Sequence, residues 1–340
     1  MSTIRGSRIL ITGGAGFIGS HLVDTLLGRG AAHVRVLDNL TNGSRANLAH
    51  LENESRFDLL VGDIRSDGSR SAAMADVDIV YHLACLGVRH SLHDPIENHR
   101  VNAEGTLRML QEALERETEM FVYVSTSEVF GTAQYAPMDE RHPTWPETVY
   151  GGGKLAGEAY TRAYFRTHGL ATAVVRPFNT YGPRSHFEGD SGEVLPRTIV
   201  RLLAGLRPVI FGDGEQTRDF MHVTDTAAAL ALLGDSDGIV GQTINLGSGS
   251  EISINELCAA VAIAVGRADL TPEHLEARPG DVRRLLGDPS VMNSLTGFVP
   301  RVGFRQGVAE LVEWFSASGG DIPEMVGRIE VRNWLPELAR

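Results

Sequence analysis

The run Thr12-Gly13-Gly14-Ala15-Gly16-Phe17-Ile18-Gly19-Ser20 constrains the fold more than any other feature of this sequence. It follows an apolar β-branched stretch, Arg8–Thr12, and opens a helical pattern over Phe17–Leu27. Glycines at 13, 16 and 19 permit a tight turn and bring backbone N–H groups, those of Phe17 and Ile18 included, close to a pyrophosphate. The helix N-terminus adds its dipole and its unpaired donors. The same alternation then recurs. His33–Asp38, Asp58–Val61, Ile79–Leu83, Met120–Ser125 and Thr172–Arg176 read as buried parallel strands, with helical segments such as Val101–Glu115 and Lys154–Thr167 between them. This order predicts an α/β fold, a Rossmann-type doubly wound parallel sheet with right-handed crossovers.

Asp38 ends the second strand, 22 residues after Gly16. A carboxylate there accepts hydrogen bonds from ribose hydroxyls and repels a 2′-phosphate, which points to NAD rather than NADP. Asp63-Ile64 lies just past the third strand, where a side chain can pair with the adenine amino group; an Asp at such a place also serves as a turn former or helix N-cap.

After about residue 177 the pattern loosens. A polar loop at Tyr181–Gly192 leads to a helix near Val194–Ala204 and a short strand at Pro208–Phe211. Gln242–Leu246 reads as one more strand of the sheet, and Ile254–Val265 and Phe304–Ser316 as helices. The expected organisation is a dinucleotide-binding domain over 1–177, with 221–250 returning to it, and a smaller α/β substrate-binding cap from 178–220 and 251–330.

Composition narrows the partners. The chain has 340 residues, 42% hydrophobic and 22% charged, which suits an ordinary globular protein. No apolar run approaches the ~20 residues of a membrane span. The N-terminus enters a strand without a signal-peptide apolar region, which implies a cytoplasmic protein. A net charge of −12 argues against nucleic acid, so any phosphate-bearing ligand must be received by local arginines, helix N-termini and backbone amides. Cys85 and Cys258 both lie in apolar stretches and read as two buried thiols rather than a disulfide. No metal site is expected.

Tyr150 and Lys154, four apart at the start of a helical pattern, project from one face. A phenol is a poor base at its ordinary pKa of ~10; a neighbouring ammonium favours the phenolate, and the same lysine can hold the nicotinamide ribose. Val124-Ser125-Thr126-Ser127-Glu128 ends the fifth strand, and ligands of a doubly wound sheet lie beyond the carboxyl ends of its strands. Hydroxyls and a carboxylate placed there face the substrate and the nicotinamide.

At this point an ordered series of motifs resembles the extended short-chain dehydrogenase/reductases that modify nucleotide sugars. The series is GGAGFIGSHL, DNLTNG, His82-Leu83-Ala84, NAEGT (Asn102–Thr106), STSEVFG (Ser125–Gly131), Tyr150 with Lys154, RPFNTYGPR (Arg176–Arg184), FGDGEQTRDF (Phe211–Phe220) and RPGD (Arg278–Asp281), and it covers nearly the whole chain. The resemblance implies that bound NAD takes hydride from C4 of the sugar of a nucleotide-diphosphate sugar and returns it within one cycle. Tyr150 would take the C4 hydroxyl proton, Thr126 would orient that hydroxyl, and Lys154 would keep Tyr150 acidic. Leu83, Ala84, Asn102 and Phe178 match positions that line the cofactor, and Asn39 and Asn42 match positions around the adenosine ribose. On the substrate side, Asn179 would bond the phosphate–sugar region and Ile210 and Phe211 would flank the base. Arg218 and Arg278 would grip the diphosphate. The resemblance also implies a homodimer through a four-helix bundle built from Val101–Glu115 and Lys154–Thr167 of each subunit.

Reactions diverge once the 4-keto sugar exists. A 4,6-dehydratase next removes the C5 proton and expels the C6 hydroxyl; a 4-epimerase returns hydride to the other face; a decarboxylase loses the C6 carboxylate of a uronic acid. Glu128 suits a C5 base, because the 4-ketone acidifies that C–H bond, and Thr-Ser-Glu is a pattern of dehydratases and decarboxylases. Ser127 departs from the Asp of dTDP-glucose 4,6-dehydratases, so no carboxylic general acid for C6 stands there, although other dehydratases of the family carry Ser. Leu86–Leu92 resembles a segment of uronate-handling 4-epimerases, in which Arg89 would face a C6 carboxylate. Arg184-Ser185-His186 resembles a loop of UDP-glucuronate decarboxylases, but the arginine those enzymes carry further along is Glu193 here. Dehydratase chemistry is preferred, then 4-epimerase, then decarboxylase. A catalytically silent NAD-binding sensor fits less well, because Tyr150 and Lys154 are both kept. Gly151, Gly152 and Gly153 stand where relatives carry small residues, which reads either as tight packing or as extra room beside the sugar.

Overall fold

The computed structural model describes residues 3–278, 280–317 and 320–332, and the side chains of these except Asp190. In chain order the strands of the first half are β1 (Arg8–Thr12), β2 (His33–Asp38), β3 (Phe57–Val61), β4 (Ile79–His82), β5 (Met120–Val124) and β6 (Thr172–Pro177). The second half contributes β7 (Asn179–Tyr181), β8 (Val209–Phe211), β9 (Thr217–His222), β10 (Thr243–Leu246), β11 (Glu251–Ser253), β12 (Glu273–Leu275) and β13 (Arg284–Leu285). Seven of them form one parallel sheet in the order β10-β6-β5-β4-β1-β2-β3. The predicted doubly wound sheet is therefore present, and every strand read from the β-branched runs falls within a residue or so of its observed place.

The strand order reverses between β1 and β4, which leaves a crevice beyond their carboxyl ends where crossovers diverge to opposite faces. Two apolar layers clamp the sheet. One packs Leu22, Val23, Leu26, Leu230 and Leu233 against Ile9, Ile11, Val34 and Val36; the other packs Met109, Leu110 and Ala113 against Leu10, Val80, Phe121 and Tyr123. A separate core, with Leu195, Ile199, Leu257, Val261, Leu311 and Phe315, stabilises the smaller α/β part, where β11, β9, β13 and β7 form a second sheet and β8 pairs with β12.

Two elements differ from expectation. The segment predicted as one helix over Val101–Glu115 begins with a widened π-helical stretch at Arg100–Gly105 and becomes regular only over Thr106–Glu115. Side-chain bonds accompany that change: Asn102 reaches out of the segment to the backbone of Leu86, and the Thr106 hydroxyl donates back to the Asn102 carbonyl at 2.7 Å. The helix bearing Tyr150 and Lys154 starts earlier than its apolar pattern, running over Val149–His168. Thr148 caps it by accepting the Gly151 N–H at 3.2 Å, and Gly169 ends it in the left-handed region at φ 73°.

The three glycines in its first turns are not equivalent. A Cβ on Gly151 would lie 2.7 Å from the Glu128 carbonyl oxygen and 2.7 Å from Pro146 Cβ, and one on Gly153 would lie 3.2 Å from Asn102 Cβ. One on Gly152 would meet nothing within 4 Å. Tight packing thus accounts for Gly151, whose missing side chain lets the helix lie directly against the turn that carries Glu128. Gly152→Ala should raise stability by about 0.5–1 kcal/mol through helix propensity, while Gly151→Ala should lower it by about 1–3 kcal/mol through overpacking. Urea unfolding of the two variants measures this difference; equal effects would remove the packing explanation.

Candidate active site

A cleft of about 600 Å³ runs from the glycine turn, past the carboxyl ends of the central strands, to the smaller part of the chain. At its dinucleotide end the turn after β1 is held by Gly13 N–H donating to Leu37 at 2.9 Å and Gly16 N–H donating to Gly13 at 3.2 Å. Gly13 adopts φ +73°, and a Cβ there would lie 2.8 Å from the Ala84 nitrogen; a Cβ on Gly19 would lie 2.3 Å from the Gly13 carbonyl oxygen. No side chain caps the Phe17–Gly28 helix at Gly16. Its first N–H groups therefore face the cleft with no side chain over them, as a cradle for a pyrophosphate requires.

Asp38 lines the same end and is fixed by two backbone donors, Ala15 N–H at 2.9 Å and Leu40 N–H at 2.8 Å. Burial pushes its carboxyl up, and those two bonds oppose the rise. Asp63 also lines the cleft, where the Arg65 guanidinium, at 2.7 and 3.0 Å, holds its carboxyl down at about 2, with a further bond from Asn39 at 3.3 Å. Phe17, Ile18, Asn39, Asn42, Ile64, Leu83, Ala84 and Phe178 stand on the same wall, as expected. The donor set, the glycine cradle and the fixed ribose-side carboxylate fit a dinucleotide.

At the centre, Tyr150, Lys154, Thr126, Ser127 and Glu128 converge. Lys154 is 2% exposed, donates from Nζ to the Val124 carbonyl at 2.7 Å, and places Nζ 4.5 Å from the centre of the Tyr123 ring. Burial pushes its ammonium pKa down, opposed by Cys85 and Glu158. Burial, followed by Cys85, pushes the Tyr150 phenol well above its ordinary value, and the leading opposing contact is the Thr126 hydroxyl. The expected acidifying neighbour, Lys154, is thus engaged with a carbonyl. Glu128 follows in a short turn whose N–H is accepted by Thr126 Oγ1 at 3.2 Å. Burial raises its carboxyl pKa, and Arg218, Arg278 and Arg89 pull it back.

Behind this wall lies a buried ionic cluster. Glu158, one turn after Lys154, is 0% exposed and accepts Arg176 at 2.7 and 2.8 Å, Ser125 at 2.7 Å and Arg162 at 3.0 Å. Burial works against its charge, but these donors, led by Arg176, outweigh it and hold the carboxyl below the ordinary glutamate range.

At the far end, Arg89, Asn179, Ile210, Phe211, Arg218 and Arg278 line the cleft as expected. Arg218 and Arg278 converge on one oxygen of Asp281, each at 2.8 Å. Two expected residues are not brought to the wall. Asn102 spends its amide on the Leu86 N–H and carbonyl, both at 2.9 Å, so it shapes the cofactor-side loop from behind. Arg184 turns away to Asp24, at 2.9 Å, from a left-handed backbone position at φ 67°.

Four cleft residues were not read as site residues from the sequence, although Cys85 was noted as a thiol in an apolar stretch and Glu193 as standing in place of an arginine. Cys85 is half-buried rather than buried and reaches the Tyr150 hydroxyl, whereas Cys258 is buried in the second core. Arg197 and Arg201 join the arginine end, and Glu193 lines the wall close enough to Arg89 to feel its charge. The helical spacing of Arg197 and Arg201 on Val194–Leu203 was the available signal for those two.

Residues 10–311 match the family described as GDP-mannose 4,6 dehydratase. The chain belongs to this family. It is 38% identical over 312 residues to a UDP-glucose 4-epimerase of Mycolicibacterium smegmatis, covering 91% of this chain and 98% of the relative. It is also similar to the crystal structure of a dTDP-glucose 4,6-dehydratase from Streptomyces venezuelae with NAD bound, at TM-score 0.86 and 32% identity over 97% of this chain and 99% of that one. A UDP-glucuronic acid 4-epimerase from Bacillus cereus, in complex with UDP-glucuronic acid and NAD, superposes at TM-score 0.85 and 30% identity over 91% and 99%. The family consists of NAD-dependent enzymes that modify nucleotide sugars, and its members span more than one reaction.

The geometry around Asp38 generates a test. The protein should bind NAD more tightly than NADP, and Asp38→Ala should weaken NAD by about 10–100-fold, as for loss of hydrogen bonds to a charged group. Calorimetric titration with both cofactors checks this; equal affinities in the unaltered protein would contradict it.

Proposed function

We propose that this enzyme binds NAD at the glycine cradle and acts on a nucleotide-diphosphate sugar as a 4,6-dehydratase, with Glu128 as the base for C5. Phosphates and base lie toward the arginine end, between the 1–177 domain, to which 221–250 returns, and the cap of 178–220 and 251–330. When bound, NAD supplies the hydride acceptor at C4 and the hydride donor at C6. Tyr150 holds and takes the C4 hydroxyl proton, with Thr126 on the same oxygen; Lys154 fixes the helix face against the Val124 carbonyl. The observation that carries the reading is Glu128: a carboxyl on the wall next to Tyr150, made more basic by burial and locked in place where Gly151 meets its carbonyl. A carboxylate so placed has no carbon-bound proton to take in a simple 4-epimerase, in which hydride leaves and returns at C4.

One observation favours 4-epimerisation as a second reading. Arg89 reaches the cleft and acts on Glu128 through its charge, as a partner for a sugar carboxylate would. The two readings separate on carbon–hydrogen exchange. With a panel of UDP-, dTDP-, GDP- and CDP-hexoses in deuterated water, the dehydratase places deuterium at C5 and releases a product lighter by one water. Glu128→Gln should lose turnover by about 10²–10⁴-fold while reduced cofactor absorbance accumulates. A product of unchanged mass without carbon-bound deuterium, with only a modest effect of Glu128→Gln, would select the epimerase; release of carbon dioxide from a uronic acid would select the decarboxylase.

We further propose a cytoplasmic homodimer through the paired helices Thr106–Glu115 and Val149–His168. Support comes from their mutual packing and from Leu107, which stays 37% exposed on the outer face. No described helix is long and apolar enough to cross a membrane. Sedimentation at micromolar concentration should give twice the chain mass; a monomer would overturn the dimer.

A further inference from the structure

Elimination of water needs an acid as well as a base, and the position next to Glu128 that would supply a carboxylic acid is Ser127. The carboxyls that line the cleft among the described residues are Asp38, Asp63, Glu97, Glu128, Glu193 and Asp281. Asp38 lies at the cofactor end, bound to backbone amides, and Asp63 and Glu97 share Arg65 there. Asp281 is committed to Arg218 and Arg278. Glu128 and Glu193 remain; both line the cleft, and the Arg89 charge acts on each of them.

Glu193 is built to project into that cleft. It occupies the N-cap of the Val194–Leu203 helix, yet its side chain makes no capping bond. Its backbone is pinned instead, the N–H donating to the His186 carbonyl at 2.8 Å and the carbonyl accepting the Arg197 N–H at 3.2 Å. Resting on the dehydratase reading above, we infer that Glu193 is the general acid that protonates the departing C6 hydroxyl. Glu128 takes the C5 proton, the C5–H electron pair forms the C5=C6 double bond, and the C6–O bond breaks. The proton from Glu193 completes a water molecule, and Glu193 is left as carboxylate. The charge that acts on it is Arg89 from the Val88–His93 helix; Arg197 on its own helix, His186 in the preceding loop and Glu128 line the same cleft. Burial outweighs Arg89 and pushes the Glu193 carboxyl up to about 8, so the proton is present at neutral pH and is lost as pH rises through that value.

The test uses the full chain with NAD, the panel hexose that the unaltered enzyme dehydrates, and its 6-deoxy-6-fluoro analogue, whose fluoride departs with far less help from an acid. Glu193→Gln should keep C5 deuterium exchange and reduced-cofactor absorbance while loss of the C6 hydroxyl falls by about 10²–10⁴-fold. The fluoro analogue should then be turned over within a few-fold of the unaltered rate. A second measurement needs no variant: kcat for the parent sugar should fall above about pH 8, and the profile for the fluoro analogue should lack that fall. Dehydration by Glu193→Gln at the unaltered rate, equal slowing of both substrates, or matching pH profiles would each overturn the acid role and leave the dehydratase reading standing. If the unaltered enzyme returns every panel sugar at unchanged mass without deuterium at C5, the dehydratase reading falls and the Glu193 assignment falls with it.

Discussion

Arg176 makes tolerable a carboxylate that has no contact with solvent, and the reactive wall is assembled around that pair. Glu158 belongs to the helix of Tyr150 and Lys154, Ser125 to the end of β5 and Arg176 to β6. Their hydrogen bonds tie three elements at one point. Removing one member of a buried pair typically costs about 3–5 kcal/mol, because the other charge is left uncompensated. The Glu158 carboxylate therefore acts as a locating pin: any slide of the helix along the sheet breaks several charged hydrogen bonds at once. Tyr123 adds a second tie, its hydroxyl donating to the Lys154 carbonyl at 3.2 Å. Against that fixed frame Gly151 sets how closely the Glu128 turn can approach.

Charge is distributed to suit an anionic ligand in an acidic protein. The chain carries −12 overall, yet Arg89, Arg197, Arg201, Arg218 and Arg278 meet at one end of the cleft. Crowding is visible in Arg197, whose pKa burial pushes down to about 10 with help from Arg278 and Arg201. Backbone carbonyls of Glu330 and Val331, at 2.7 and 3.0 Å, share that guanidinium. Arg201 likewise donates to the Arg207 carbonyl, and Arg218 and Arg278 to Asp281, so carbonyls and one carboxylate hold much of the cluster together.

How much of this could be read from the chain follows from where each signal lies. Gly13, Gly16, Gly19 and Asp38 form a local unit whose spacing reports its own geometry, and Tyr150 with Lys154 gives a helix face directly. Strand identities were legible because parallel strands, buried on both faces, read as continuous apolar runs. Asn102 and Arg184 stood in recognisable motifs, but which way a side chain turns depends on partners far away in sequence, Leu86 and Asp24. Cys85 was legible only as a thiol in an apolar stretch and Glu193 only as a departure from an arginine; neither pattern marks a site. Their importance lies in what a distant segment places opposite them, the Tyr150 hydroxyl in one case and Arg89 in the other. The π-helical start at Arg100 was hidden for a similar reason, since apolar periodicity averages over a single widened turn.

Asp281 has a kinetic side. Arg218 and Arg278 each bond one of its oxygens at 2.8 Å, so a diphosphate that reaches these arginines arrives as a competitor for donors already in use. Affinity for such a diphosphate would be lowered by whatever it takes to displace the tethered carboxylate. The same carboxylate would stand ready to reclaim both guanidiniums as the diphosphate loosened. An enzyme that holds its nucleotide sugar through a cycle of oxidation and reduction, and must then let go of a product bearing the same nucleotide, benefits from an internal anion that makes departure a stepwise exchange instead of a single rupture.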